Sequence, residues 1–286
     1  MGLLFRYPQT LASCKINAYA LAQKKTAMTD LEKEREKEKE RERERERSPR
    51  ANETLNKLES DGYVFLKNVI PISLINSAQN YASELLNCEV NSQSIIKAMS
   101  ELEFSDKDKF YNFCKQMGQI VSSIQIALLP EILETIKNAL KTQNVYLTDS
   151  AVFFNKVDVT RLQYDWHSEK SYFPNANEVI TLWYPWLHNV SELNGTMVLA
   201  EASHKKEHIA ERIPVKNGLT QMKIKEESLK EFRFVNCDLN VGDAVLFKLN
   251  LVHKTGPNTS GIPRSTLITR FTDFQGKFNS GWETSN

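Results

Sequence analysis

Between Gly242 and Phe271 the sequence reads GDAVLFKLNLVHKTGPNTSGIPRSTLITRF, and no other stretch restricts the available folds as much. Val245, Phe247 and Leu249 alternate with Ala244, Leu246 and Lys248, which predicts a mostly buried strand entered through a Gly242-Asp243 turn. From Thr255 to Pro263 neither the helical nor the strand period survives, because Gly256-Pro257, Asn258, Ser260-Gly261 and Pro263 break both. After the turn, Arg264, Thr266 and Ile268 share one strand face, and Ser265, Leu267 and Thr269 share the other. The unit is strand, His253, loop, Arg264, strand.

A histidine leaving one strand and an arginine entering the next can converge on one ligand, since antiparallel neighbours lie about 4.8 Å apart. Neutral imidazole suits a transition metal, and a guanidinium fork suits a carboxylate. Such a pair asks for partners elsewhere, and Trp166-His167-Ser168-Glu169 supplies them. In an extended segment residues i and i+2 point to the same side, so His167 and Glu169 can hold one metal without strain. Two histidines and a carboxylate form the facial triad of non-haem Fe(II) oxygenases, which leaves coordination positions open. The candidate constellation is His167, Glu169, His253 and Arg264.

With these residues in place the chain resembles the phytanoyl-CoA dioxygenase family of Fe(II)- and 2-oxoglutarate-dependent oxygenases. The resemblance rests on ordered stretches from about residue 57 to 273: DGYVFLKNVIP at 61–71, WHSEKSYFP at 166–174, LW at 182–183, NGTMVLAEASHK at 194–205, and GD…LVHKTGPN…R from 242 to 264. It implies that His167, Glu169 and His253 bind iron, and that Arg264, eleven residues after His253, grips the far carboxylate of 2-oxoglutarate. It further implies that the Thr255 hydroxyl assists at that carboxylate and that Trp183 is a pocket tryptophan. Most members carry Asp where this chain has Glu169, one methylene longer, so a small shift in metal placement is expected. Gly or Ala at that position would open room for a halide; with Glu169 present, hydroxylation is the expected reaction. The implied activity consumes 2-oxoglutarate and O2 and hydroxylates a C–H bond of a small-molecule substrate, with release of succinate and CO2. A protein or peptide hydroxylase on the same scaffold, and a catalytically silent jelly-roll binding module, are the alternatives.

The rest of the sequence fits one folded domain behind a tail. Residues 1–50 read as a disordered, low-complexity charged tail, and 51–286 as the dioxygenase domain. Glu32 to Arg47 alternates Glu with Lys or Arg, eight of each, which leaves nothing to bury in a helix or a strand. Helical spacing at Leu74, Ile75, Ala78, Ala82, Leu85 and Leu86 predicts a helix over 72–86, and 92–142 reads as mainly helical with Pro130 opening a new helix. Strand character begins at Val145 and returns at 181–187 and 196–200. Short strands joined by Gly, Asn and Pro turns indicate an antiparallel sandwich or barrel. Combined with the resemblance, the expected fold is mainly β with N-terminal helices: a double-stranded β-helix (jelly roll, cupin-like) buttressed by helices. Lys206 to Gln221 is expected to be a loop or irregular cover that selects substrate. His204 is expected to be structural, and His188 and His208 to lie on the surface.

Composition excludes little but points one way. With 37 basic and 36 acidic residues the formal charge is +1, which favours neither nucleic acid nor an anionic membrane as partner. No apolar run approaches the roughly 18 residues of a membrane span. Cys14, Cys88, Cys114 and Cys237 are far apart and read as free thiols of a reducing compartment, so the expected location is cytoplasmic. Residues 1–27 lack acidic residues and carry Arg6, Lys15, Lys24 and Lys25, a composition shared with organellar transit peptides.

Overall fold

The computed structural model describes residues 49–156, 163–215 and 220–273; the charged run, the basic N-terminal 27 residues and Cys14 lie outside them. Helices come first: α1 (Pro49–Asp61), then after strand β1 (Tyr63–Leu66) the series α2 (Ile72–Leu86), α3 (Ser92–Ser105), α4 (Lys107–Gln119), α5 (Val121–Ala127) and α6 (Pro130–Ala139). Their starts follow from local chemistry. The side chains of Asn91 and Asp106 accept the backbone N–H of Ser94 and Lys109, capping α3 and α4. Pro130 occupies the first turn of α6, where its missing N–H removes no helical bond.

The strands that follow are β2 (Val145–Asn155), β3 (Val179–Pro185), β4 (Met197–Ala200), β5 (Ala210–Pro214), β6 (Thr220–Ile224), β7 (Phe234–Asn236), β8 (Ala244–Lys248), β9 (His253–Thr255) and β10 (Arg264–Asp273). The larger sheet has the order β1-β8-β3-β10-β2 and the smaller one β7-β4-β9, with β5-β6 as a separate ribbon. Neighbours within each sheet run antiparallel. Trp183, Val245, Phe247 and Ile268 of the larger sheet pack with Met197 and Leu199 of the smaller one and with Cys237 just past β7, forming the interior of the sandwich. On the opposite face, Leu182, Tyr184, Leu246, Leu267 and Phe271 pack against Ile75, Met99, Phe113, Met117 and Ile136 of the helices. The larger sheet is thus covered on both sides, and β3 is buried along its whole length. That double burial explains why its strands read as continuous apolar runs rather than strict alternations.

Three expectations change. The run from Ala244 to His253 is not one strand: β8 ends at Lys248, and the chain turns before resuming as β9. The turn is fixed by Glu178, which accepts the Leu249 N–H at 3.0 Å, and by the Ser203 hydroxyl, which accepts that of Val252 at 2.8 Å. Consequently β9 and β10 are not neighbours; they lie in different sheets, and the Gly256–Pro263 loop carries the chain across the sandwich. The third change is Lys206 to Gln221, expected to be irregular, where β5 and β6 pair from Ala210↔Ile224 to Pro214↔Thr220. Ile224 is fully buried and anchors this ribbon to Trp166, which the sparse apolar content of the segment conceals.

His204 is structural as expected, with Nε2 3.0 Å from the Glu59 carbonyl. His188 and His208 are half-buried rather than on the surface, the latter bonded to the Ser203 carbonyl at 2.9 Å. Cys88, Cys114 and Cys237 are free thiols. Among the described residues no helix is long and apolar enough to cross a membrane.

One close approach sets how the helices meet the sheet. Gly118 of α4 lies so near the β2 backbone that an added Cβ would collide with the Ser150 carbonyl. Ala is the better helix former by about 1 kcal/mol, but a collision with backbone on both sides cannot be relieved by a rotamer change. Gly118→Ala is therefore expected to lower stability by a net of about 1–3 kcal/mol, read as a drop in the denaturant midpoint at unchanged slope.

Candidate metal centre

His167 and His253 meet through their backbones before their side chains are considered. The His167 N–H donates to the His253 carbonyl at 2.9 Å, and the His253 N–H returns the bond to His167 at 2.8 Å. Residues that exchange both bonds in an antiparallel pair stand directly opposite, with side chains on the same face. The two imidazoles accordingly face the sandwich interior with ring centroids 4.3 Å apart. Each Nδ1 sits on a backbone carbonyl, Asp165 at 2.7 Å for His167 and Leu251 at 3.0 Å for His253. This fixes Nδ1 as the protonated nitrogen and leaves both Nε2 lone pairs free, the arrangement typical of metal-binding histidines.

Glu169 completes the group. Ser168 is extended, with φ −124° and ψ 156°, so the i and i+2 side chains share a side, although Glu169 itself opens a 3-10 turn over Glu169–Ser171 rather than continuing an extended segment. One carboxylate oxygen lies 4.0 Å from His253 Nε2. Ligand atoms of His167, Glu169 and His253 all lie within 4.8 Å of one another, and all three residues are buried. A donor set of two imidazoles and one carboxylate fits a first-row transition ion.

Arg264 enters from the facing sheet. It is buried, its guanidinium lies 5.6 Å from the Trp183 ring centre, and one terminal nitrogen donates to the Gly195 carbonyl. Its Nε is buried without a hydrogen-bond partner. A buried, partly unsatisfied guanidinium has the chemistry to pair with an anion, because leaving such a group unpaired is costly. Thr255 lines the same cavity, and its hydroxyl accepts the Tyr164 N–H at 3.3 Å. Thus the cavity that contains the histidines also contains Arg264, Thr255 and Trp183. His253 and Arg264 converge because the two sheets face each other, not because their strands are paired.

Sequence reasoning passed over Arg270. It is buried on β10, and its Nε and Nη2 each donate to one oxygen of Glu169 at 3.0 Å. The signal was present: Arg270 lies on the Arg264, Thr266, Ile268 face, and a charge inside a doubly covered strand must be paired. Phe153, Tyr164 and Tyr172 were also missed and line the cavity. The Tyr164 and Tyr172 rings meet edge to face at 89° with centroids 6.4 Å apart.

Burial sets the protonation of the group. It drives the His167 pKa down to about 3, helped by the neighbouring His253, and lowers that of His253. For Glu169 burial pushes upward, but the Arg270 charge and hydrogen bonds, with the histidines, outweigh it and hold the carboxyl below its usual value. Burial lowers the Arg264 pKa to about 10, which leaves it charged at neutral pH. Neutral imidazoles beside an ionised carboxylate are the forms a metal requires.

A sequence profile of the phytanoyl-CoA dioxygenase (PhyH) family matches residues 58–266. No curated protein sequence matches this one. Among solved structures, the apo form of EctD from S. alaskensis is similar with a TM-score of 0.58 at 17% identity, over 84% of this chain and 82% of that one. The α-ketoglutarate-dependent epimerase SnoN from nogalamycin biosynthesis, solved with Fe3+, α-ketoglutarate and nogalamycin RO, aligns with a TM-score of 0.56 at 14% identity, over 81% of this chain and 87% of that one. The non-haem monooxygenase ThoJ in its apo form gives 0.57 at 17% identity, over 79% of each chain. Identities this low speak for the fold, the expected jelly roll buttressed by helices.

The buried histidines make the metal-free protein acid-sensitive. An unfolded histidine titrates near 6.5, so below that pH the unfolded chain binds protons that folded His167 and His253 refuse. Stability contributed by neutral burial is therefore present above about pH 6.5 and is lost as pH falls toward 3, and the lowered Glu169 pKa acts in the same direction at the acid end. The melting temperature of chelator-treated protein is expected to fall steadily from pH 7 to 4.5, with a shallower slope in His167→Gln; equal slopes would remove His167 from this role.

Proposed function

The chain belongs to the phytanoyl-CoA dioxygenase family, and from that premise we propose that it is an Fe(II)- and 2-oxoglutarate-dependent dioxygenase hydroxylating a C–H bond of a small-molecule substrate. The observation that carries the reading is one cavity lined by a buried His-Glu-His cluster and a buried arginine with an unpaired nitrogen. Fe(II) would be held by His167, Glu169 and His253, and with 2-oxoglutarate it would supply dioxygen activation, ending in succinate, CO2 and a hydroxylated product. In support, SnoN was solved with Fe3+ and α-ketoglutarate on this fold.

The protein's own residues bind, orient and exclude water. Arg264 offers its free Nε to the far carboxylate of the cosubstrate, a charge-assisted bond strengthened by burial. The Thr255 hydroxyl donates to the same carboxylate, and Trp183 gives the cosubstrate chain an apolar wall beneath the guanidinium. Backbone carbonyls of Asp165 and Leu251 keep both imidazoles in the ligand tautomer throughout turnover. Phe153, Tyr164 and Tyr172 present ring faces and edges to the substrate side, which suits an apolar or planar portion of a small molecule. The oxygenase domain is assigned to residues 51–286.

The test is succinate formation from 2-oxoglutarate after anaerobic Fe(II) loading and admission of air. Wild type is expected to turn over, slowly without substrate and faster with a compound that fits, and His253→Ala to lose the activity. Absence of metal binding and of turnover in wild type would favour a silent jelly-roll binding module, whereas stimulation by polypeptides rather than metabolites would favour a protein hydroxylase. Arg264→Leu is expected to raise the KM for 2-oxoglutarate by about 10–100-fold, the loss of a charge-assisted bond worth about 1.5–3 kcal/mol. An unchanged dependence on 2-oxoglutarate would remove Arg264 from that position.

A further inference from the structure

Strand β10 carries two inward-facing arginines, and the proposed chemistry uses only the first. Arg264 opens the strand opposite Asn155; Arg270, six residues on and on the same face, stands opposite Asp149 and Thr181. Arg270 is only 8% exposed, so its charge needs compensation inside the protein. Each of its nitrogens is engaged: Nε and Nη2 each donate to a different Glu169 oxygen at 3.0 Å, while Nη1 donates to Asp149 at 2.9 Å. The guanidinium also lies 5.7 Å from the Phe173 ring centre, which confines it from the side. Three of the five guanidinium N–H donors are committed to carboxylates.

The fork has a geometric consequence for Glu169. An ionised carboxylate offers about four lone-pair sites, and a bidentate arginine takes one on each oxygen. The oxygen 4.0 Å from His253 Nε2 keeps a lone-pair site, and it stands in a group whose ligand atoms, those of both imidazoles included, all lie within 4.8 Å of one another. Glu has one more rotatable bond than the shorter acid, and an unrestrained Glu169 would sample orientations that leave that group. Glu169 also opens a 3-10 turn, so its backbone alone does not dictate where the carboxylate lands.

We propose that Arg270 is a positioning residue for the metal: it holds Glu169 as a one-oxygen ligand aimed between His167 and His253, and Asp149 steadies the guanidinium from behind. The inference rests on the reading of His167, Glu169 and His253 as the metal ligands. It also accounts for Glu at position 169, whose length spans the gap between the imidazoles and the β10 guanidinium. The Asp149 side chain is 45% exposed, so its share is the smaller one.

The experiment is Co(II) binding to the full chain, followed by calorimetry and by visible absorption, which reports coordination number and geometry. Arg270→Met and Arg270→Lys are expected to weaken Co(II) by about 10–100-fold and to alter the absorption bands, and Asp149→Asn to weaken it by less. Lys keeps the charge but not the fork, so it carries the test should the Met variant fail to fold. Because Arg270 acts through Glu169, combining Arg270→Lys with Glu169→Ala is expected to weaken Co(II) no further than Glu169→Ala alone. Folded Arg270 variants with a lower melting temperature but wild-type Co(II) affinity and spectrum would overturn the proposal and leave an ordinary buried ion pair. Additive losses in the double variant would overturn it as well. Failure of wild type to bind Co(II) would instead overturn the metal reading on which it rests.

Discussion

Everything at the centre of this molecule depends on two reciprocal backbone hydrogen bonds, between His167 and His253. They join a segment that is barely a strand to one of only three residues, yet they place two imidazoles side by side with little left to side-chain flexibility. From that pair the remaining architecture follows. β9 must leave the larger sheet to meet His167, which is why the chain turns after Lys248 under the control of Glu178 and Ser203. The following loop must return to the larger sheet, which brings Arg264 over the same cavity from the other side.

The helices contribute indirectly. By covering the outer face of the larger sheet with Ile75, Met117 and Ile136, they make β10 a strand buried on both faces. Charged groups on its inner face are desolvated by the smaller sheet opposite, and desolvated arginines select carboxylates strongly. The same burial keeps the histidines neutral and works against ionisation of the glutamate, which Arg270 chiefly, with the histidines, overcomes.

Much of this was legible in the sequence, for physical reasons that can be named. Helix 72–86 was readable because its apolar residues keep helical spacing throughout. His167, Glu169, His253 and Arg264 stood out because chemistry-bearing residues bracketed strands and turns. What stayed hidden depended on contacts between distant segments. Nothing local in LNLVH tells that Glu178 will intercept the Leu249 N–H, so the sequence reads as one strand where the structure has a turn. The β5-β6 ribbon is anchored by Ile224 against Trp166, two residues far apart in the chain. Arg270 was visible as a residue and overlooked as a partner, because its significance requires knowing that both faces of β10 are closed to water.

The two β10 arginines also describe the molecule mechanically. Arg264 reaches across the interior to the Gly195 carbonyl ahead of β4, and Arg270 reaches across to Glu169 beside His167. Each is a tie between opposing walls, set about 20 Å apart along one strand at about 3.3 Å per residue. The space between the walls is therefore pinned at two points along β10, and the width of the cavity is held by a pair of cross-braces rather than by apolar contact alone.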